Sequence, residues 1–154
     1  MCQVINNLPI DYDFQSKTKE ELKLYAKWFE ENVETEKLSE EEYKEKRAAV
    51  PDYIEIQDWD ITIKTRSLAV DIGIYFGEVF IKNHEGLKWE QYFSRSKYDM
   101  DIGHMVIKGF GKTRLNSIWK LYIIANCLAD KTDTGEIVYE LYTILENKLD
   151  EKYK

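Results

Sequence analysis

Proline is almost missing from this sequence, with 2 in 154 residues, and there are only 7 glycines. So few breakers leave no Pro/Gly-rich linker, and the length suits one core rather than two. The chain therefore reads as a single domain over residues 1–154. Cysteine is scarce as well. Cys2 and Cys127 stand at opposite ends, and two cysteines make no disulfide framework. Cys127 sits in an apolar run, where a thiol packs as a small hydrophobe. The two histidines, His84 and His104, are not at ligand spacing, and a zinc site needs three or four convergent ligands. No metal and no other cofactor is expected.

Long apolar runs are lacking too. The longest are interrupted by Asp71, Glu78, Lys120 and Asn126, and none reaches the roughly 18 residues that cross a bilayer. Met1 to Phe14 lacks a basic region followed by an apolar stretch and carries Asp11 and Asp13, so no secretory signal is expected. These readings place the chain in the cytoplasm with reduced thiols. Finally, there is no excess of basic charge. The net charge is −7, which disfavours direct contact with phosphate backbones.

What is present is an ordinary apolar fraction, 44%, and many aromatics: 11 Tyr, 6 Phe and 4 Trp. That is enough for a packed core and too much for a disordered chain. The acidity is uneven. Residues 1–60 hold 8 Lys and Arg against 16 Asp and Glu, whereas residues 61–154 hold 14 against 13. A localised acidic face attracts a basic partner and speeds its arrival.

Helix signals are clear at several places. Thr18-Lys-Glu-Glu21 has the capping-box pattern, and Leu22, Tyr25, Ala26, Phe29 and Val33 follow at helical spacing. Ser39-Glu-Glu-Glu42 repeats the start signal, and Pro51 ends that second, weakly amphipathic helix. Residues 52–63 alternate in places and suit a short strand or an extended connection. Residues 65–83 are apolar on nearly all sides, which predicts a helix at the centre of the domain. Residues 88–93 and 104–110 read as two strands joined by a long polar loop. Asn116 or Ser117 can cap a helix to about Ala129, and a last helix runs from about Gly135 to Glu151. In that last helix Ile137, Val138, Leu141, Ile144, Leu145 and Leu149 should face inward. The expected fold class is α+β and mainly helical. About five helices surround a buried central helix at 65–83, with one short antiparallel β-hairpin.

Few residues suggest chemistry. Asp71 and Glu78 lie seven positions apart, on one face of the central helix, with Tyr75 between them and Lys82 four residues after Glu78. Unpaired carboxylates are expensive to bury, so these must face water, a partner or each other. Gly73 and Gly77 share another face, and each lowers helix stability by about 1 kcal/mol relative to Ala. Close packing of a neighbouring element explains them. Gly109-Phe-Gly111-Lys112-Thr113 imitates a phosphate loop, but Val106 stands where its first glycine belongs. It reads instead as a strand-to-helix turn in which the glycines take positive φ. None of the serines at 16, 39, 67, 94, 96 and 117 lies in a nucleophile elbow. Trp89 and Tyr92 fall on opposite faces of their strand, so at least one is expected at the surface.

The stretch Leu68–Asn83 followed by Leu87-Lys-Trp89, with Val106–Gly111 and Leu115–Trp119, resembles a group of small acidic bacterial proteins of the toxin-immunity type. The likeness covers about residues 60–130. It implies partner binding and carries no catalytic residues. The leading expectation is thus a non-enzymatic, intracellular binding protein that neutralises a basic protein, such as a toxin, by direct contact. Its candidate contacts are Glu30, Glu31, Glu34 and Glu36, or the face of Asp71, Tyr75 and Glu78 with Trp89. The alternatives are a small-ligand protein or hydrolytic enzyme using an Asp71/Glu78 cleft, and an acidic phage-type inhibitor mimicking nucleic acid.

Overall fold

Thr18 opens the first helix as the sequence predicts. In the computed structural model, which describes residues 17–111 and 113–152, helix α1 spans Lys19–Asn32, and the Thr18 hydroxyl accepts from the Glu21 amide at 3.2 Å. Cys2, the Met1–Phe14 segment and Lys112 lie outside the described residues. One side of α1 buries Leu22, Tyr25, Ala26 and Phe29, the stripe expected from their spacing. The chain then forms strand β1 (Thr35–Lys37), helix α2 (Glu40–Ala48) and strand β2 (Trp59–Ile61). Strands β1 and β2 pair antiparallel, Thr35 opposite Ile61 and Lys37 opposite Trp59. This small sheet adds to the single hairpin expected. All three residues of β1 are exposed, so no alternation marks it in the sequence.

Helix α3 runs Ile63–Asn83 and starts two residues before the expected boundary, because the Thr62 side chain caps it by accepting from the Thr65 amide. It lies at the centre, with Leu68, Ala69, Ile72, Tyr75, Phe76, Val79 and Phe80 fully or almost fully buried. Strands β3 (Lys88–Gln91), β4 (Met105–Phe110) and β5 (Thr113–Leu115) form an antiparallel sheet in that order. The glycine motif therefore turns the chain from β4 into a further strand, not directly into a helix. The expected positive φ is present, +125° at Gly109 and +71° at Gly111.

Helix α4 (Ser117–Ala129) packs along α3, and Gly73 permits it. A Cβ on Gly73 would lie 2.7 Å from the Ile118 Cα, and the Ser117 hydroxyl donates to the Gly73 carbonyl at 2.9 Å. A Cβ on Gly77 would collide with the Trp89 ring. Helix α5 (Glu136–Lys152) docks on α1. Its anchor differs from expectation. Tyr142 is fully buried, with its ring 4.8 Å from that of Phe80 and edge-on to it, while Ile144 is half exposed. An aromatic one turn after Val138 reaches the core, and Ile144 falls on the opposite side. Among the described residues the fold is thus five helices, with α3 buried at the centre, and a two-stranded and a three-stranded antiparallel sheet, a mainly helical α+β architecture.

Candidate functional site

The stripe on α3 does not form a shared cleft. Tyr75 is 0% exposed, and its hydroxyl donates to the buried Glu21 carboxylate at 2.8 Å. It is a core residue, so it offers no surface to a partner. Glu78 is held from two sides, by the Trp89 indole N–H and the Lys17 ammonium, each at 3.0 Å. Burial pushes its carboxyl up, but the hydrogen bonds from Lys17 and Trp89 and the charge of Lys17 outweigh that and hold the pKa below the ordinary range. The expected helix-local partner, Lys82, is not among these two donors. Glu78 therefore acts as a bracket joining the chain just before α1 to α3 and β3. Asp71 remains half-buried on the same side of α3, without a hydrogen bond to another described residue.

The acidic half of the molecule has an ordered charge layout. Residues 17–60 hold 8 Lys and Arg against 14 Asp and Glu. Five of those cations are turned onto the protein itself. Lys17 meets Glu78, Lys19 meets Glu146 from α5, and Lys23 lies over the Tyr139 ring. Lys46 donates to the carbonyls of Gln57 and Trp59, and Arg47 to those of Pro51 and Ile54. The carboxylates largely point outward. Glu30, Glu31, Glu34 and Glu36 are all exposed, although Glu30 also accepts from the Gly135 amide at 3.0 Å and Glu34 pairs with Lys64 at 3.2 Å. Glu40, Glu41 and Glu45 extend the acidic surface along α2, which buries none of its residues.

The opposite sign collects where the sequence showed nothing special. Residues 88–120 hold 7 Lys and Arg against 3 Asp and Glu. Arg114 neutralises two of the three, donating to Asp99 at 2.8 Å and to Asp101 at 2.9 Å, and its guanidinium stacks 3.8 Å from the centre of the Tyr92 ring. The Asp99 carboxylate also accepts from the Asp101 amide and from the Tyr92 hydroxyl, and these bonds together with Arg114 hold its pKa below the usual range. The network fastens the loop between β3 and β4. It continues through Asn116, whose side-chain oxygen caps α4 by accepting from the Trp119 amide at 3.0 Å. That contact fixes the orientation of the amide, so its nitrogen donates to Asp101 at 2.9 Å and to His104 Nδ1 at 3.1 Å. The Asn116–His104 contact is donor to acceptor in the tautomer that carries its hydrogen on Nε2.

Beside this network lies an open apolar groove of about 350 Å³, lined by Val70, Met105, Ile118, Trp119 and Tyr122, with His104 and Asn116 at its polar end. Val70 is 43% exposed and Trp119 39%, and the Trp119 and Tyr122 rings stack with centroids 5.3 Å apart. The neighbouring loop exposes Phe93, Tyr98, Met100 and Ile102. Exposed aromatic, Met and aliphatic side chains on the groove and on this loop are the composition of a protein-contact surface. The groove is not readable from sequence, because its walls come from α3, β4 and α4. Trp89, singled out at first as a contact, is half-buried against Gly77 and Glu78 instead.

No group of three or more His, Cys, Asp or Glu side chains among the described residues is arranged to hold a metal ion. No helix among them is long and apolar enough to cross a membrane. Cys127 is a free, half-buried thiol. Comparison with protein-family models, curated proteins and solved structures finds no match for the chain.

Proposed function

We propose that this chain is a binding protein of the toxin-immunity type, which neutralises a basic protein by covering it with the acidic surface of α1 and α2. One observation carries the reading: in residues 17–60 most cations bond inward, to carbonyls, carboxylates and rings, while Glu31, Glu36, Glu40, Glu41 and Glu45 face solvent. The side chains that an approaching protein meets first are therefore mostly carboxylates. Such a surface raises the association rate of a basic partner and aligns it before contact. Helix α2 fits the role. It buries no residue, so its order serves display rather than core formation. The resemblance of about residues 60–130 to small acidic immunity-type proteins points the same way.

The test screens the basic products of neighbouring genes for one that this chain binds. Wild type should bind it, protect cells from it and lose association rate as salt rises. The exposed set Glu31→Lys, Glu36→Lys and Glu41→Lys should change stability by less than about 0.5 kcal/mol each. The same set should slow association by at least about tenfold at low salt. An unchanged rate, or a neighbouring product that does not bind, rejects the reading.

A further inference from the structure

We propose that strand β1 is a docking edge, which takes up an antiparallel strand of the basic partner whose Lys or Arg residues recur at every second position. The inference rests on the basic-partner reading of this half and says how the contact is made. Hydrogen bonds of the small sheet fix which way each backbone group points. The Thr62 amide donates to the Glu34 carbonyl at 3.1 Å, and the Leu38 amide to the Asp58 carbonyl at 2.7 Å. Glu36 stands opposite Asp60 between them. The N–H and C=O groups of Thr35 and Lys37 therefore point away from β2, and those of Trp59 and Ile61 point away from β1.

The two outer edges differ. On β2 two of the four groups are held: the Asp60 carboxylate accepts from the Ile61 amide at 2.8 Å, and Lys46 donates to the Trp59 carbonyl at 3.3 Å. On β1 none is. The backbone groups of Thr35 and Lys37 have no hydrogen-bond partner among the described residues, and all three residues of the strand are exposed. An open edge of this kind is a template for another strand.

The side chains say what that strand must carry. Ile61 is buried and Trp59 half-buried, so their face of the sheet turns to the core, and Thr35 and Lys37 stand opposite them on it. The other face carries Glu34 and Glu36 on one side of the ladder and Asp58 and Asp60 on the other. Lys64 meets Glu34 and Arg66 meets Asp60, whereas Glu36 and Asp58 form no ion pair among the described residues. In an added antiparallel strand the residue opposite Glu36 is in a non-hydrogen-bonded pair, where side chains come closest, and Lys or Arg there meets its carboxylate. Residues opposite Thr35 and Lys37 exchange the backbone bonds and lie on the face of Lys37, which repels a cation. The edge thus selects alternation rather than a uniform basic run. Two β1 strands paired antiparallel about their centres would set one Glu36 against the other, which disfavours a second copy.

Amide NMR of the full chain tests this, with a short capped peptide that alternates Lys and Thr as the probe. The peptide should shift the Thr35 and Lys37 amides and, at saturation, slow their exchange with solvent by at least about fivefold. N-methylation of the peptide's Thr residues, which blocks the bonds to Thr35 and Lys37, should weaken binding at least about tenfold. N-methylation of its Lys residues, whose N–H groups point away from β1, should weaken it less than about threefold. Glu36→Lys, at an exposed position, should weaken it at least about threefold. Two unmoved amides at about 1 mM peptide, equal losses from the two methylated peptides, or no effect of Glu36→Lys overturns the proposal. A neighbouring basic protein that binds while these two amides stay unmoved overturns the strand addition alone and leaves the immunity-type reading standing. A chain that pairs with the peptide but with no neighbouring product keeps its docking edge and loses that reading.

Discussion

Helices α2 and α3 are the two extremes of this molecule. Helix α2 has 9 residues and buries none of them, whereas α3 has 21 and buries ten. Both start at a Ser or Thr cap, but different forces hold them. In α2 the order is local. Ser39 accepts from the Glu42 amide, the Glu42 carboxylate accepts from the Ser39 amide, and Lys46 and Arg47 reach back to carbonyls of the following loop. In α3 the order comes from packing on all sides, at about 1.5–3 kcal/mol for each large apolar side chain buried. The comparison teaches that the surface half can be rewritten with little effect on the fold, while the central half tolerates almost no added volume.

The largest way to break that contrast is a substitution at Gly73. In Gly73→Val the new side chain starts 2.7 Å from the Ile118 backbone, which cannot swing aside as a side-chain tip can. We expect a loss of about 3 kcal/mol or more, read from denaturant unfolding, and a disturbed α3–α4 contact. The comparable change in α2, Ala48→Val, adds two methyl groups at an exposed position and should cost under about 1 kcal/mol. Equal losses at the two sites would remove the distinction.

A smaller effect sits where the halves meet. Glu78→Ala leaves the half-buried Trp89 N–H without its acceptor and Lys17 without its partner, which should cost about 1–3 kcal/mol. Glu78→Gln keeps an acceptor and should cost less. The pH dependence has a definite sign. The folded pKa lies below the ordinary carboxylate value, so the ionised group's contribution is fully present above about pH 4.3. It is lost as pH falls through the folded value. The stability gap between wild type and Glu78→Gln should therefore be constant near neutrality and shrink in acid. A gap that widens in acid would mean that burial, rather than Lys17 and Trp89, governs this carboxyl.

Much of the fold was legible in the sequence because its signals are local. The Thr18 and Ser39 caps, the all-round apolar pattern of α3 and the paired glycines each depend on residues within one element. What was not legible depends on distant partners. Glu21 matches the capping-box position yet gives its carboxylate to Tyr75, 54 positions away. Tyr142 rather than Ile144 enters the core because Phe76 and Phe80 supply an aromatic wall for it. The Asp71–Glu78 stripe was found, but Lys17 and Trp89, which make Glu78 a bracket, lie outside its helix. The groove was hidden for the same reason. Val70, Ile118 and Trp119 look like ordinary core positions until α3, β4 and α4 come together and leave them open.

The smallest prediction asks whether α2 belongs to the cooperative core at all. Ser39→Ala removes the acceptor for the Glu42 amide and should weaken the helix by about 1 kcal/mol. If α2 is ordered only by its own caps and carbonyl bonds, the loss is confined to local opening. Its amides should then exchange about fivefold faster, while the thermal midpoint of the whole chain stays within about 1 °C. If α2 unfolds only with the core, the midpoint should fall by the full amount due to 1 kcal/mol in a domain of this size, about 2–4 °C. The first outcome makes α2 a display element whose surface is free to change with its partner. The second would tie the acidic surface to the core and forbid that freedom, because every change made for a new partner would also act on the fold.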